Sequence, residues 1–314
     1  MGKLSFQHIP VLLEKTLEGL NPRPGDWIAD CTIGGGGHAE EILKRISPGG
    51  FLLGIDRDPA AVKAACDRLS KYKDIITLVN DRNVHLPEIA EKFEIKSFDG
   101  ILFDLGVSSF QLDEARRGFS YQTDAPLDMR MNPNDKTTAK DIVNHYSKEE
   151  LISIVSNYGE ERWAARIAQR IVKERENKPI ETTAELVKII KQAIPAGARR
   201  SGPHPAKRTF QAIRIEVNSE LSELEQALEN GIKMLHKKGR ICVISFHSLE
   251  DRIVKQVFQK AAKGCVCPPD FPVCNCGIEP SLKMVNRKPI EASDQEVSDN
   301  PRARSAKLRV GERI

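Results

Sequence analysis

Four consecutive glycines at positions 34–37 constrain the fold of this 314-residue chain more than any other feature of its sequence. They follow an apolar run at 27–31 and precede a stretch of helical character. Glycines between a strand and a helix let the backbone approach a ligand closely and leave N–H groups of the helix start aimed at it. The spacing Gly34-x-Gly36-x-x-Ala39 also satisfies the loose dinucleotide fingerprint. The sequence therefore predicts a nucleotide-type site at this turn.

Short apolar runs alternate with helical stretches on both sides of a long middle section. The predicted strands lie at 27–31, 51–55, 75–79, 100–103, 240–246, 282–286 and 306–310. Continuous apolar strands separated by helices are typical of a parallel sheet covered on both faces. Residues 106–135 show neither the helical period of about 3.6 residues nor the strand period of about two, and they are predicted to be irregular. Residues 138–194 are almost wholly helical in pattern. We therefore predict an α/β domain formed by 1–109 and 209–314, interrupted by a helical insertion at 110–208.

The composition excludes several classes of protein. Apolar residues make up 40% of the chain and charged residues 29%, which is the balance of an ordinary globular protein. No apolar run is long enough for a membrane span, so we predict no membrane association. The first ten residues lack the apolar region of a secretory signal, and we expect a cytoplasmic protein.

The net charge of +4 is unevenly distributed along the chain. Residues 160–214 hold 13 Lys and Arg against 6 Glu, a net charge of +7 that leaves −3 for the rest. Arg162, Arg166 and Arg170 recur at every fourth position and would form one basic face of a helix. Such a face suits an RNA backbone, although a solvated face paired with neighbouring Glu residues fits the same pattern. Further basic segments favour RNA as the partner, at 199–208 and 302–309.

Two predicted strands end on an aspartate. Asp56 stands 22 residues after Gly34, where a carboxylate can accept both hydroxyls of a ribose. Asp104 ends the fourth strand and is followed by Ser108 and Ser109, at the edge where open α/β sheets bind ligands. An acid there suits an amino group better than hydride transfer, while the serines also fit helix capping. The motif itself does not separate NAD from S-adenosylmethionine.

His247 follows the strand at 240–246, and we expect it at the same edge of the sheet. It could accept a departing proton or hold a flipped base. The same segment fits a capping cluster, with Ser248 starting a helix and Glu250 in its first turn. Both interpretations stay open for His247, and capping is favoured for Glu250.

Four of the seven cysteines form two C-x-C pairs, Cys265 with Cys267 and Cys274 with Cys276. Without an export signal, clustered thiols indicate a metal before disulfides. Four thiolates can satisfy tetrahedral zinc, although the usual spacing is C-x2-C. Structural zinc and four reduced thiols remain as alternatives.

Ten segments of the chain match one known family in order and over nearly its whole length. Among them are GGGGH (34–38), GIDRDP (54–59), DGILFDLGVSSFQLD (99–113), SFHSLEDRIVK (245–255) and NPRARSAKLR (300–309). They resemble the bacterial small-subunit rRNA (cytosine-N4)-methyltransferase family. The resemblance implies an α/β, class I (Rossmann-like), mostly parallel sheet with a helical insertion that recognises RNA. It also implies S-adenosylmethionine as cofactor, 16S rRNA or the small ribosomal subunit as partner, and methylation of a cytidine N4.

The resemblance also implies roles for single residues. It places Gly35, Gly36, Gly37 and His38 against the cofactor, Asp56 on its ribose, and Asp104 and Gln111 beside its adenine and methionine parts. Many family members have a Phe after the third strand, where this chain has Asn83, with Arg82 as the alternative match. The candidates for the chemistry of the amino group are Asp104, Ser108, Ser109 and His247.

Two other functions remain as alternatives at this stage. One is a nicotinamide-dependent oxidoreductase, because the glycine turn accepts either cofactor. The other is a non-catalytic RNA-binding factor in ribosome assembly that uses the basic insertion. The sequence does not decide whether the chain forms a homodimer.

Overall fold

The protein divides into two compact units in a computed structural model. The structure describes residues 10–200, 202–265, 267 and 276–314. The first unit, here called the sheet unit, consists of the described residues up to Gly106 and from Leu221 onward. The second, the helical unit, is Val107–Glu220.

A single mixed sheet forms the centre of the sheet unit. Its strands are β1 (Trp27–Asp30), β2 (Phe51–Asp56), β3 (Ile76–Asn80), β4 (Phe98–Asp104), β5 (Leu235–Ser245), β6 (Leu282–Met284), β7 (Ile290–Glu291) and β8 (Lys307–Arg313). The order is β3-β2-β1-β4-β5-β8-β6, with β7 also paired to β8. Strands β1 to β5 pair in parallel, and β8 is antiparallel to β5, β6 and β7. The predicted mostly parallel α/β sheet is confirmed.

Helices of the sheet unit cover both faces of its sheet, and further helices form the helical unit. The helices among the described residues are α1 (Leu13–Leu20), α2 (Gly37–Ile46), α3 (Pro59–Arg68), α4 (Leu86–Lys92), α5 (Ser109–Asp113), α6 (Ala139–His145), α7 (Lys148–Asn157), α8 (Ala164–Arg175), α9 (Thr183–Ala193), α10 (Lys207–Asn218), α11 (Glu220–Met234), α12 (Ser248–Lys263) and α13 (Asp294–Asp299). Apolar side chains of α4, α11 and α12 form one core layer with the sheet, and those of α1, α2 and α3 form the other. Burial on both faces explains why the central strands are continuously apolar.

Capping residues divide the helical unit into short helices. Four of its helices begin after a Ser or Thr whose hydroxyl accepts the backbone N–H three residues on, while that third side chain bonds back. The pairs are Ser108 with Gln111, Thr138 with Asp141, Ser147 with Glu150, and Thr182 with Glu185. The first pair starts α5, so the prediction of a wholly irregular 106–135 is wrong at 109–113.

The second boundary of the helical unit lies at 220, later than the predicted 208. The reason is α10, whose buried Phe210 and Ile213 belong to the core of the helical unit. Asn218, at the end of the same helix, donates its side-chain amide to the Met129 carbonyl over 2.8 Å and accepts the Met131 N–H over 2.7 Å. Packing and hydrogen bonding therefore keep the whole helix in this unit.

Part of the basic segment 302–309 belongs to strand β8 of the sheet. Arg309 in β8 is buried, and its Nε donates to Asp251 of α12 over 2.7 Å. Lys307 also lies 3.7 Å from Asp251. These two cations therefore stabilise the sheet unit, and Arg302 and Arg304 are the exposed ones. Among the described residues, no helix is both long and apolar enough to cross a membrane.

Candidate cofactor and active site

The glycine turn connects β1 to α2 in a backbone conformation that favours glycine. Gly34 and Gly36 have φ angles of +49° and +75°. Gly36 precedes the first residue of α2, and its N–H donates to the Ile33 carbonyl over 2.8 Å. A Cβ at Gly37 would come within 2.6 Å of Pro10 Cγ. The turn therefore needs glycine for conformation and for space, and it exposes the N–H groups of the first turn of α2.

Asp56 is hydrogen-bonded to the glycine turn. It is the last residue of β2, and its Oδ2 accepts the Gly34 N–H over 2.9 Å. Its Oδ1 accepts the Asp58 N–H over 2.9 Å. Burial raises the pKa of Asp56 to about 6, against the two hydrogen bonds that lower it. A positively charged or hydrogen-donating ligand would favour the ionised form.

One carboxyl oxygen of Asp104 has no partner among the residues that the structure describes. Its backbone N–H donates to Thr32 Oγ1 over 2.6 Å, and its Oδ2 lies 3.6 Å from Nδ1 of the buried His38. His38 Nε2 lies 3.1 Å from the Val11 carbonyl. Oδ1 of Asp104 is buried and has no hydrogen-bond partner among the described residues. Burial raises the pKa of Asp104 well above its ordinary value, with the charges of Asp30 and Glu250 adding to the effect.

Asp30 is a site residue that the sequence reasoning missed. It ends β1, is almost completely buried, and accepts the Thr32 N–H over 3.2 Å. Burial raises the pKa of Asp30 to about 7; the Thr32 hydrogen bond opposes this rise, and the charge of Asp56 adds to it to a smaller extent. The available signal was its position, because β1, β2 and β4 all end on aspartate.

The three aspartates form what we call the acidic edge: Asp30, Asp56 and Asp104. In the sheet register Asp30 lies opposite Gly54 of β2 and Leu102 of β4. Asp56 and Asp104 therefore each stand two residues further along their strands, on either side of the chain that leaves β1. All three carboxyl groups have raised pKa values. The edge is unfavourable for anions and favourable for a cationic ligand.

His247 and Glu250 form the capping cluster that one interpretation predicted. Ser248 is the first residue of α12, and Glu250 Oε2 accepts the Phe246 and His247 N–H groups over 2.7 Å and 3.3 Å. The Glu250 N–H donates to His247 Nδ1 over 3.4 Å. His247 Nε2 lies 3.1 Å from Glu250 Oε1. The prediction of a capping role for Glu250 is confirmed, and a catalytic role for His247 stays a prediction.

Other predicted site residues belong to different parts of the chain. Ser108 and Gln111 lie in the helical unit, where they cap α5 through bonds of 3.0 Å and 3.3 Å. Ser109 is the first residue of that helix. Asn83 follows β3 in a short 3-10 helix, and Arg82 beside it pairs with Glu223 of the sheet unit. Their proposed contacts with a cofactor or substrate remain predictions.

The cysteine pairs converge where the structure describes them. The sulfur atoms of Cys265, Cys267 and Cys276 all lie within 4.8 Å of one another. Cys274, the fourth predicted ligand, lies outside the described residues. Tetrahedral zinc with sulfur at about 2.3 Å separates its ligands by roughly 3.8 Å, which falls below the 4.8 Å limit on the distances between these thiols.

The arginines of the predicted basic helix face differ in their contacts. Arg166 and Arg170 lie in α8, and Arg162 lies two residues before that helix begins. The guanidinium groups of Arg162 and Arg166 lie 5.0 Å and 5.5 Å from the Trp163 ring centroid. Arg170 instead pairs with Glu174 at 2.7 Å and donates to Gln192 over 2.9 Å. The solvated, paired interpretation therefore holds for Arg170, while Arg162 and Arg166 remain exposed on the face of a tryptophan.

The sheet edge fits S-adenosylmethionine. Its sulfonium and amino groups are cationic, which the acidic edge favours, and its ribose hydroxyls suit the carboxylate of Asp56. The buried Oδ1 of Asp104, which lacks a partner among the described residues, suits a donating amino group. The strand order, with one antiparallel strand between β5 and β6, and this site together define a class I, S-adenosylmethionine-dependent methyltransferase.

Comparison with known proteins gives the family. Residues 5–314 match the MraW methylase family, and the chain belongs to it. Ribosomal RNA small subunit methyltransferase H of Symbiobacterium thermophilum is 56% identical over 98% of this chain and 96% of its own. The protein of that name from Brevibacillus brevis is 52% identical over the whole of both chains. An rRNA methylase structure from Streptococcus thermophilus covers 96% of this chain and 93% of its own, at TM-score 0.41 and 9% identity, too distant to indicate activity.

Proposed function

We propose that this protein transfers a methyl group from S-adenosylmethionine to N4 of a cytidine in 16S (small-subunit) rRNA. The observation that carries the proposal is Asp104, a partly buried carboxyl whose buried Oδ1 has no partner among the described residues, at the edge that fits the cofactor. Membership of a methylase family supports methyl transfer over hydride transfer. The names of the relatives support ribosomal RNA of the small subunit as the substrate class.

The sheet unit would hold the cofactor through four elements. The turn at Gly35, Gly36 and Gly37 and the adjoining His38 admit it close to the backbone, and Asp56 accepts its ribose hydroxyls. Asn83 stands after β3, where it would border the adenine. For Gln111, the family resemblance alone supports a contact with the cofactor. S-adenosylmethionine supplies an electrophilic methyl group on a sulfonium, and the acidic edge favours that positive charge.

Asp104 would act on the amino group that becomes methylated. The lone pair of cytosine N4 is delocalised into the ring, so N4 is a poor nucleophile. A carboxylate that accepts an N4 hydrogen favours the tetrahedral nitrogen needed for attack. Attack leaves a positive charge on N4, and transfer of one N4 proton to Asp104 completes the reaction. A carboxyl with a raised pKa accepts that proton more readily than an ordinary one.

His247, Ser108 and Ser109 are the further candidates around this step. His247 lies two residues after Ser245, the last residue of β5, and the neighbouring strand β4 ends on Asp104. It would take the proton onward or hold the target base against the sheet edge. Ser108 would accept an amino hydrogen if it is released from capping α5, and Ser109, the first residue of that helix, is proposed for the same role. These roles are ranked below that of Asp104 because the described contacts of His247 and Ser108 are with capping partners.

The helical unit would recognise the RNA. Residues 160–214, which lie inside it, carry a net charge of +7, whereas the rest of the chain carries −3. Arg162, Trp163 and Arg166 offer two cations and an aromatic surface on one helix start, a combination that suits phosphates and an unpaired base. Either free rRNA or the assembled small subunit would present the phosphates and the unpaired base.

Mass spectrometry of nucleosides from small-subunit rRNA tests the proposal. A strain lacking the protein should lose one N4-methylcytidine, and purified protein with S-adenosylmethionine should restore it. The Asp104→Asn variant serves as the inactive control. An unchanged nucleoside profile in the deletion strain would rule out the assigned substrate, and restoration by Asp104→Asn would show that Asp104 is not the essential proton acceptor.

We also propose a structural zinc ion held by Cys265, Cys267 and Cys276, with Cys274 as the fourth ligand suggested by the sequence. The support is the mutual approach of the three described sulfurs. Cys265 follows α12 closely and Cys276 precedes β6, so the ion would join the end of that helix to an edge strand of the sheet. Tetrahedral thiolate sites of this kind contribute directly to folding.

Elemental analysis of freshly reduced protein tests the zinc site. One equivalent of zinc is expected, and Cys276→Ser should lose it together with thermal stability. Cys66→Ser is the matched control, because Cys66 is an exposed cysteine of α3 outside the cluster. Wild-type protein without stoichiometric zinc would leave the alternative of four reduced thiols.

A further inference from the structure

The helical unit contains a cavity that none of the candidate site residues lines. It has a volume of about 440 Å³ and lies between residues 121–124 and one side of α9. Lys188, Lys191 and Gln192 border it from α9, and Arg199 borders it from the segment that follows. We call this cavity the α9 groove. Its walls belong entirely to the helical unit.

The charge of the α9 groove is positive. Three of its ten lining residues are cationic, and Asp124 is the one acidic residue among them. Asp124 already accepts the Ala184 N–H over 3.2 Å at the start of α9. Within the described part of the chain, Lys188, Lys191 and Arg199 have no carboxylate within 4.0 Å.

Several other cations of the same unit are paired, unlike the three that line the groove. Lys140 pairs with Glu181 at 2.8 Å, Lys178 with Glu185 at 2.5 Å and Arg170 with Glu174 at 2.7 Å. Internal ion pairs thus neutralise cations elsewhere on these helices. The three groove cations keep their charge for a ligand, and an anion is the complement that they favour.

An aromatic side chain forms part of the groove wall. Tyr121 lines the groove and stacks on His204, with ring centroids 4.7 Å apart and an angle of 6° between the planes. Phe210 meets the Tyr121 ring edge-on at 5.8 Å. Burial and the charge of Lys191 lower the pKa of His204, so the stacked imidazole is neutral near pH 7. A supported aromatic ring beside three cations matches a nucleotide, which joins a planar base to a phosphate.

The basic surface continues beyond the groove. Gln192 at the groove wall accepts a hydrogen bond from Arg170 of α8. One turn earlier on α8 is Arg166, over the face of Trp163. A chain of phosphates can follow such an extended surface, whereas a free mononucleotide uses only the groove. This continuity favours a polynucleotide as the occupant.

We propose that the α9 groove seats one nucleotide of the substrate RNA, with Lys188, Lys191 and Arg199 on its phosphates and its base against Tyr121. The inference rests on the proposed function, because it takes the RNA substrate as given. It adds an anchoring site that performs no chemistry. Anchoring there raises the affinity for RNA and leaves cofactor binding to the sheet unit.

A matched pair of double variants tests the groove. Lys188→Gln with Lys191→Gln removes two groove charges, while Lys148→Gln with Lys173→Gln removes two exposed charges of α7 and α8 outside it. Binding of a fluorescent single-stranded fragment of small-subunit rRNA is measured by anisotropy over a range of salt concentrations. The groove variant should bind about tenfold more weakly, with a salt slope lower by roughly one to two units, and the control should change less than about twofold.

Steady-state kinetics separates anchoring from chemistry. The groove variant should raise KM for RNA, keep kcat at saturating RNA, and keep the affinity for S-adenosylmethionine measured by calorimetry. Equal RNA affinities of the groove variant and the wild type would overturn the proposal. So would tight binding of cytidine monophosphate or inorganic phosphate in the groove without any loss of RNA affinity in the variant.

The two proposals can fail separately. If the deletion strain keeps its N4-methylcytidine but the groove variant loses RNA affinity, the substrate assignment is wrong and the groove remains an RNA site. If methylation is lost in the deletion strain and the groove variant binds RNA normally, only the groove inference is wrong.

Discussion

The acidic edge of the sheet unit and the α9 groove of the helical unit are opposite in charge and in construction. The edge gathers three carboxyl groups from strand ends that are fixed by the sheet register, and burial raises all three pKa values. The groove places three cations on a helix and the segment after it, where Lys188 and Arg199 stay exposed. Buried charge is sensitive to protonation, and exposed charge is sensitive to salt. The two regions should therefore respond to different variables.

The largest expected effect is on catalysis at the acidic edge. Asp104→Asn removes the proton acceptor and should lower kcat about a thousandfold, while KM for RNA changes little. Single-turnover methylation with saturating cofactor and RNA measures this. Asp99→Asn is the control, because Asp99 lies near the opposite end of β4, where its Oδ2 accepts the Trp27 N–H. A kcat within a few-fold of wild type for Asp104→Asn would move the acceptor role to His247.

Asp30 should show that the acidic edge lowers the stability of the fold. Its pKa is about 7 in the folded protein against an ordinary value of 3.8, so the unfolded chain releases this proton first as pH rises. The free energy of unfolding therefore falls between these two pH values. Asp30→Asn removes this loss and should raise the free energy of unfolding by up to about 4 kcal/mol at high pH. Urea unfolding of the wild type and the variant at about pH 4 and about pH 8 measures this change in the free energy of unfolding. A gain of the same size at both pH values contradicts the explanation.

Asp56 should set the affinity for the cofactor. Asp56→Asn keeps an oxygen for the Gly34 N–H but removes the charge that we propose accepts the ribose hydroxyls. We expect binding of S-adenosylmethionine to weaken by about 2 kcal/mol, roughly 30-fold, in calorimetry. Asp67→Asn, an exposed position on α3, is the control. RNA affinity should be the same in both variants, and a loss of RNA binding in Asp56→Asn would contradict the division of roles between the two regions.

The smallest effect is a pH dependence that only one region should show. Because the pKa of Asp56 is about 6, the ribose-binding carboxylate is lost as pH falls through that value. Affinity for S-adenosylmethionine should drop about tenfold between pH 7 and pH 5 in the wild type. The drop should be smaller in Asp56→Asn and unchanged in the Lys188→Gln, Lys191→Gln variant. Calorimetric titrations at three pH values decide this, and a flat wild-type profile would exclude Asp56 as the titrating group.

Local patterns in the sequence predicted the parts of the molecule that depend on local structure. The glycine run and the apolar strands before Asp56 and Asp104 identified the turn and the sheet edge, because period and strand ends are properties of neighbouring residues. The end of the helical unit at 220 was not predictable in this way. It depends on Asn218 bonding to Met129 and Met131, almost ninety residues earlier in the chain.

The electrostatics of the site needed the fold as well. Asp30 looked like an ordinary strand residue because its raised pKa comes from burial and from Asp56, which another strand brings near. The α9 groove combines residues 121–124 with a helix some sixty residues later. Helix capping was one of two interpretations of Ser108 in the sequence, and the fold shows that Gln111 completes the cap of α5. Long-range pairing and burial, rather than local periodicity, account for these differences.

The pairing of β4 with β5 has a consequence for how the protein is made. These strands are neighbours in the sheet, with Ile101 opposite Ile241, yet the whole helical unit lies between them in the sequence. The ribosome therefore completes the helical unit, as one continuous segment, before it makes β5. During synthesis the helical unit can fold while Asp104 still lies at an open sheet edge, without the strand that leads to His247. The proposed RNA-binding surface would thus form earlier than the proposed catalytic centre in each newly made copy of the enzyme.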